Sequence, residues 1–155
     1  MNMHKSDAIS LCNSIVVSNM PEDVLVILSP PSIYLDSFSI EDSSVELASQ
    51  DVSAYENGAF TGEISATMLS NINVNYSLVG HSERRTYHNE KDELIKEKAS
   101  HLRKNNIIPI ICCGETKEER EDGRAKAIVT DQLTKILSGI DEEDMLNSII
   151  AYEPV

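Results

Sequence analysis

The chain has 155 residues, enough for the core of one domain. Thirteen Lys and Arg against twenty-six Asp and Glu leave a net charge of −13, which argues against nucleic acid and anionic membrane as partners. Apolar residues at 41% and charged residues at 25% describe a soluble globular chain, and no apolar run nears the ~20 residues that cross a bilayer.

The first residues, Met1 to Asp7, contain no signal-peptide core, so a cytoplasmic location is expected. Cys12, Cys112 and Cys113 form no Cys-x-x-Cys pair and no His/Cys cluster. Neither a metal site nor a disulfide framework is therefore expected.

Ser6 to Ser18 reads as a helix capped by Ser6, with Ile9, Cys12, Ile15 and Val16 at helical spacing. Val24 to Leu28 is a continuous apolar run, the pattern of a strand covered on both faces. Pro31 to Phe38 fits a short helix with Pro31 in its first turn. A strand is expected from Val45 towards Val52, followed by a Gly-rich loop from Tyr55 to Glu63 and a short helix over Ser65 to Asn71. A loop of that length is expected to carry a function.

Tyr76 to Val79 is the next strand, and Gly80 turns it into His81-Ser82-Glu83-Arg84-Arg85. Asp92 to Lys104 is a helix with Leu94, Ile95, Ala99 and Leu102 on one face and Lys and Glu on the other. Ile107 to Ile111 is a strand in which Pro109 points to an edge or irregular position. Thr116-x-x-Glu119 is a capping box for the helix beyond it, and Gly123 interrupts before Ala125 to Leu137 continues. Asp141 to Met145 is a turn or short helix, and Ser148 to Tyr152 a last strand.

Strand and helix alternate throughout, which predicts one α/β domain with a parallel sheet. The unusual polar residues follow the strands: His81, Ser82 and Glu83 after one, Cys112, Cys113 and Glu115 after the next, Glu153 after the last. In parallel α/β folds the carboxyl ends of the strands share one side, and active sites gather there. Spacing alone thus puts His81 and Glu153 on one face, where the pair could transfer protons. Ordinary loop residues remain the alternative at this stage.

Four blocks then resemble the triosephosphate isomerase family: Asn57 to Ser65 (Asn-Gly-Ala-Phe-Thr-Gly-Glu-Ile-Ser), Gly80 to Arg85 (Gly-His-Ser-Glu-Arg-Arg), Cys112 to Glu115 (Cys-Cys-Gly-Glu) and Ala151 to Val155 (Ala-Tyr-Glu-Pro-Val). The resemblance implies a (β/α)8 barrel that interconverts dihydroxyacetone phosphate and glyceraldehyde 3-phosphate without a cofactor. It implies Glu153 as the general base and His81 as a neutral imidazole that polarises the substrate oxygen. Glu83 matches a second carboxylate near the site, with an ion pair holding the loop as an equal alternative. Ser82 is expected to shape the turn, and Cys112 to be a buried packing residue beside the base. Thr61 lies in a loop that, in the family, reaches the partner subunit, so a homodimer is implied. Tyr34 matches the family and reads as packing.

The resemblance also predicts a barrel cut at both ends, roughly strands 2 to 6. Met1-Asn2 looks like the tail of a motif whose lysine and first strand lie upstream, and the lid and phosphate-gripping loops of the family would follow Pro154 and Val155. Both boundaries would fall beside family tryptophans, and this chain has none, so UGA read as stop is one expected origin. In-frame UGA codons at both boundaries test that. The chain alone is expected to be inactive. The rival expectation is a non-catalytic fragment or pseudo-enzyme that binds a partner through its sheet edges or the Thr61 loop.

Overall fold

A computed structural model describes residues 2–18, 21, 23–38 and 45–154. Met1 and Val155, the ends of two of the quoted motifs, lie outside the described residues. Five strands, β1 (Val26–Leu28), β2 (Val45–Ser49), β3 (Tyr76–Val79), β4 (Ile108–Cys113) and β5 (Ile149–Tyr152), form one sheet in chain order. Every neighbouring pair is parallel. With helices packed along one face, the sheet curls into the half-barrel that the sequence predicts.

The helices are α1 (Lys5–Val16), α2 (Ala66–Asn71), α3 (Ser82–Tyr87), α4 (Asp92–Lys104), α5 (Lys117–Glu121), α6 (Ala125–Ile136) and α7 (Glu142–Leu146), with a 3-10 segment at Ser32–Ser37. None is long and apolar enough to cross a membrane. The core lies between the sheet's outer face and the helices. Leu47, Val79 and Ile111 from the strands meet Ile95, Ala99 and Leu102 of α4 and Ile136 of α6. Ile95, Ala99 and Leu102 sit at the four- and three-residue spacing that keeps side chains on one helix face. Beneath the same layer Ser49 and Ser77, both fully buried, hydrogen-bond at 2.6 Å across β2 and β3.

Several expectations need correction. α1 starts at Lys5, its N-cap is His4, and Ser6 bonds to Asp7 rather than capping. β1 is shorter than the apolar run, and its residues are half-buried, because it is an edge strand and Val24 and Leu25 stand exposed before it. Pro31 is the N-cap of a 3-10 segment, and β2 ends at Ser49.

Pro109 lies buried inside β4, which pairs on both sides. The sheet tolerates it because Ile108 donates its N–H towards β3, to the Asn75 carbonyl at 2.9 Å. The proline nitrogen therefore faces β5, just before the pairing with β5 begins at Ile110. Where the chain reverses, local chemistry agrees with the sequence. The Thr116/Glu119 capping box forms in both directions, and Gly123 separates α5 from α6 with φ of +71°.

Candidate active site

Because the strands are parallel, the residues after β3, β4 and β5 share one end of the sheet. His81 follows β3 as the N-cap of α3, and its Nδ1 accepts the Glu83 backbone N–H at 3.3 Å. That hydrogen bond occupies the Nδ1 lone pair. In the neutral ring the remaining hydrogen then sits on Nε2. Nε2 lies 4.0 Å from Glu153 Oε2, too far for a hydrogen bond but close enough for both groups to reach one small molecule. Glu153 follows β5, and its Oε2 accepts the Ser82 hydroxyl at 3.1 Å.

The backbone around this pair is held at several points. Arg85 donates to the Gly80 carbonyl at 2.8 Å, to Asp92 at 2.7 Å and to the Cys112 carbonyl at 3.3 Å, tying the ends of β3 and β4 to the start of α4. Gln132 of α6 grips Gly114, accepting its N–H and donating to its carbonyl, each at 3.0 Å. The Glu153 N–H donates to the Cys113 carbonyl at 3.0 Å. A Cβ on Gly114 would lie 2.5 Å from the Glu153 carbonyl oxygen, so only glycine permits this approach of β4 to β5.

Cys112 and Cys113 are buried beside the pair. Burial, reinforced by the Glu153 carboxylate, pushes the Cys112 thiol up to about 11, and burial raises Cys113 as well. Neither thiol is therefore a thiolate at neutral pH. Glu115, after β4, is buried with Arg120 Nη1 at 2.6 Å and the Tyr152 hydroxyl at 3.0 Å. Its own backbone N–H, then Arg120 and Tyr152, hold its carboxyl below the usual range.

The geometry gathers the singled-out residues unevenly. Ser82 bonds to Glu153, and His81 comes within 4.0 Å of it. Glu83 is exposed, its Oε2 3.8 Å from His81 Nδ1. A cavity of about 510 Å³ is lined by Ser82, Cys112, Gly114, Glu115 and Glu153, whereas His81 and Glu83 line a neighbouring one of about 580 Å³ with Asp51 and Arg84. Thr61 stands apart on the exposed loop between Tyr55 and Glu63. That loop is closed at its base by Ser53 N–H to Ile64 O at 2.8 Å and stiffened by stacking of Tyr55 on Phe60, centroids 3.9 Å apart. Tyr34 is half-buried next to buried Leu35.

Sequence reasoning missed the Gln132 clamp, which has no sequence signal, and a buried charge cluster at Lys98. The latter had one: Lys98 falls three residues after Ile95 and four before Leu102, on the buried stripe of α4.

A family model described as triosephosphate isomerase matches residues 1–155. The triosephosphate isomerase of Blochmanniella floridana is 42% identical over 144 residues, 90% of this chain and 55% of that protein. That of Baumannia cicadellinicola is 44% identical over 149 residues, 95% of this chain and 57% of that protein. That of Corynebacterium glutamicum is 50% identical over 111 residues, 72% of this chain and 43% of that protein. The chain spans about half the length of these curated relatives.

Proposed function

Because the chain belongs to the triosephosphate isomerase family, we propose that it supplies the base and the electrophile of an isomerase that interconverts dihydroxyacetone phosphate and glyceraldehyde 3-phosphate. Glu153 takes a proton from the carbon beside the substrate carbonyl and returns it to the neighbouring carbon. His81, neutral, donates from Nε2 to the oxygen on which negative charge develops. The observation that carries this reading is the pairing of an occupied Nδ1 with an Nε2 4.0 Å from Glu153 Oε2. A hydrogen-bond donor held at the developing oxyanion stabilises the transition state more than the ground state.

The other residues serve this pair. Ser82 holds Glu153 in its resting position, and Glu83 steadies the turn through its backbone N–H. Cys112 packs as a protonated thiol, and Thr61 presents its loop to a second subunit. Proton transfer of this kind needs no cofactor.

Residues 1–155 alone are catalytically incompetent on this reading. The Glu153 side chain is 63% exposed and the site is open to water, which weakens every electrostatic contact in it. Isomerase turnover tests both halves of the proposal. A polypeptide extended to the length of the relatives interconverts the triose phosphates. The isolated chain gives under about 1% of an ordinary kcat, itself about 1–1000 per second. Turnover above about 1% of that rate by the isolated chain would refute its incompetence, and an inactive extended protein would refute the isomerase reading.

A further inference from the structure

α3 presents a physical problem. It follows His81 directly and supplies the N–H that holds Nδ1, yet none of its residues is buried. A six-residue helix without an apolar anchor is held by its charged side chains. Arg85, in its C-terminal half, bonds to the Gly80 and Cys112 carbonyls and to Asp92, which leaves its first turn to Arg84. Its second residue, Glu83, makes the bond to His81, and the next residue, Arg84, leads into a charge cluster.

Arg84 Nε lies 2.8 Å from Glu90 Oε1, and one of its terminal nitrogens lies 2.9 Å from Asp51 Oδ2. Both carboxylates also receive Lys98 Nζ, Asp51 at 2.7 Å and Glu90 at 2.5 Å. Lys98 and Glu90 are almost fully buried, 4% and 5% exposed. The cluster thus joins four segments: the turn after β2, α3, the turn after α3, and α4.

Burial favours the neutral form of Glu90, but Lys98 and Arg84 outweigh it and hold the carboxyl below its usual range. Glu90 Oε2 is buried without a hydrogen-bond partner among the described residues. Buried ionic clusters of this kind add little net stability relative to an apolar core of the same volume, and in some proteins what they contribute is geometry. Here the geometry is that of α3.

We infer that Lys98 is a positioning residue for His81: it holds Asp51 and Glu90 where Arg84 needs them, and Arg84 keeps the first turn of α3 on the imidazole. The inference rests on the reading of His81 as hydrogen-bond donor to the substrate. Without Lys98, two carboxylates converge on one guanidinium, Arg84 shifts, and the Glu83 N–H leaves Nδ1. The proton is then free to occupy either ring nitrogen.

The test is the tautomer of His81 in the 155-residue chain, read from long-range ¹H–¹⁵N spectra at mildly alkaline pH. His81→Gln assigns the signal among the four histidines. The parent shows hydrogen on Nε2. Lys98→Met raises the Nδ1–H share about fivefold, the effect of losing one hydrogen bond, and Lys98→Arg restores the parent ratio. An unchanged ratio in a folded Lys98→Met chain overturns the inference. If that variant does not fold, Arg84→Gln, at a partly exposed position, carries the same prediction and the same refutation. The isomerase reading fails separately: it falls if the extended protein is inactive, whatever the tautomer does.

Discussion

Gly114→Ala is the sharpest mechanical perturbation of the site. Gly114 does not have a left-handed φ, so alanine meets no backbone strain of its own and the whole effect is steric. The added Cβ would stand 2.5 Å from the Glu153 carbonyl oxygen, against ordinary contact from 3.4 Å, so the two strands must part by about 0.9 Å. Gln132 holds Gly114 by both its N–H and its carbonyl, which leaves Glu153 as the side that moves. Overpacking of this kind costs about 1–3 kcal/mol, or roughly 2–12 °C in melting temperature for a chain of this size. Thermal unfolding measures the cost. Hydrogen exchange at the Glu153 amide, now bonded to the Cys113 carbonyl at 3.0 Å, locates it. A variant that melts with the parent and keeps its Glu153 amide protected would refute the claim that glycine is required there.

Other outcomes follow from the same contacts. Cys112, raised from 9.0 to about 11, holds its proton in the folded chain after an unfolded thiol has lost it. Its contribution is therefore complete below about pH 9 and is lost as pH rises towards 11, on the order of 2–3 kcal/mol in urea titrations; stability that rises over this window would contradict the assignment. At neutral pH a thiol reagent should label Cys112 about 100-fold more slowly than a free thiol, from the smaller thiolate fraction alone. Ser77→Ala leaves Ser49 Oγ buried without its 2.6 Å partner and costs about 1–3 kcal/mol, whereas removing both hydroxyls costs less than the sum of the single changes. Additive losses in a double-mutant cycle would dissolve that pair.

How far the sequence could be read depended on the kind of interaction involved. α4 was legible to the residue because Ile95, Ala99 and Leu102 repeat at helical spacing between polar neighbours. The placement of His81 and Glu153 at one end of the sheet followed from a general rule of parallel α/β folds, and the strand pairing agrees with it. Their 4.0 Å separation was not legible, since it depends on how β3 and β5 curl around β4, and the Glu83 N–H on Nδ1 is a local cap of α3 that histidine does not usually announce.

Pro109 misled because proline usually marks an edge, whereas here its nitrogen falls just ahead of the β5 pairing. Lys98 misled because charge argued for a solvent-facing side chain, while its position in the apolar stripe argued for burial, and two carboxylate partners, Asp51 and Glu90, decided in favour of position. The helix expected after His81 is α3, although its charged run has no apolar stripe to mark its extent, because none of its residues is buried.

The central claim is that Glu153 and His81 form one proton-transfer site, with Glu153 as the base. The most direct measurement is kcat for Glu153→Gln in the protein extended to the length of its relatives, beside a circular dichroism spectrum that shows the fold unchanged. Loss of the base should lower kcat by about 100- to 10,000-fold. A folded variant that retains more than about a tenth of the parent rate would contradict the role given to Glu153, since general acid–base catalysis contributes far more than that.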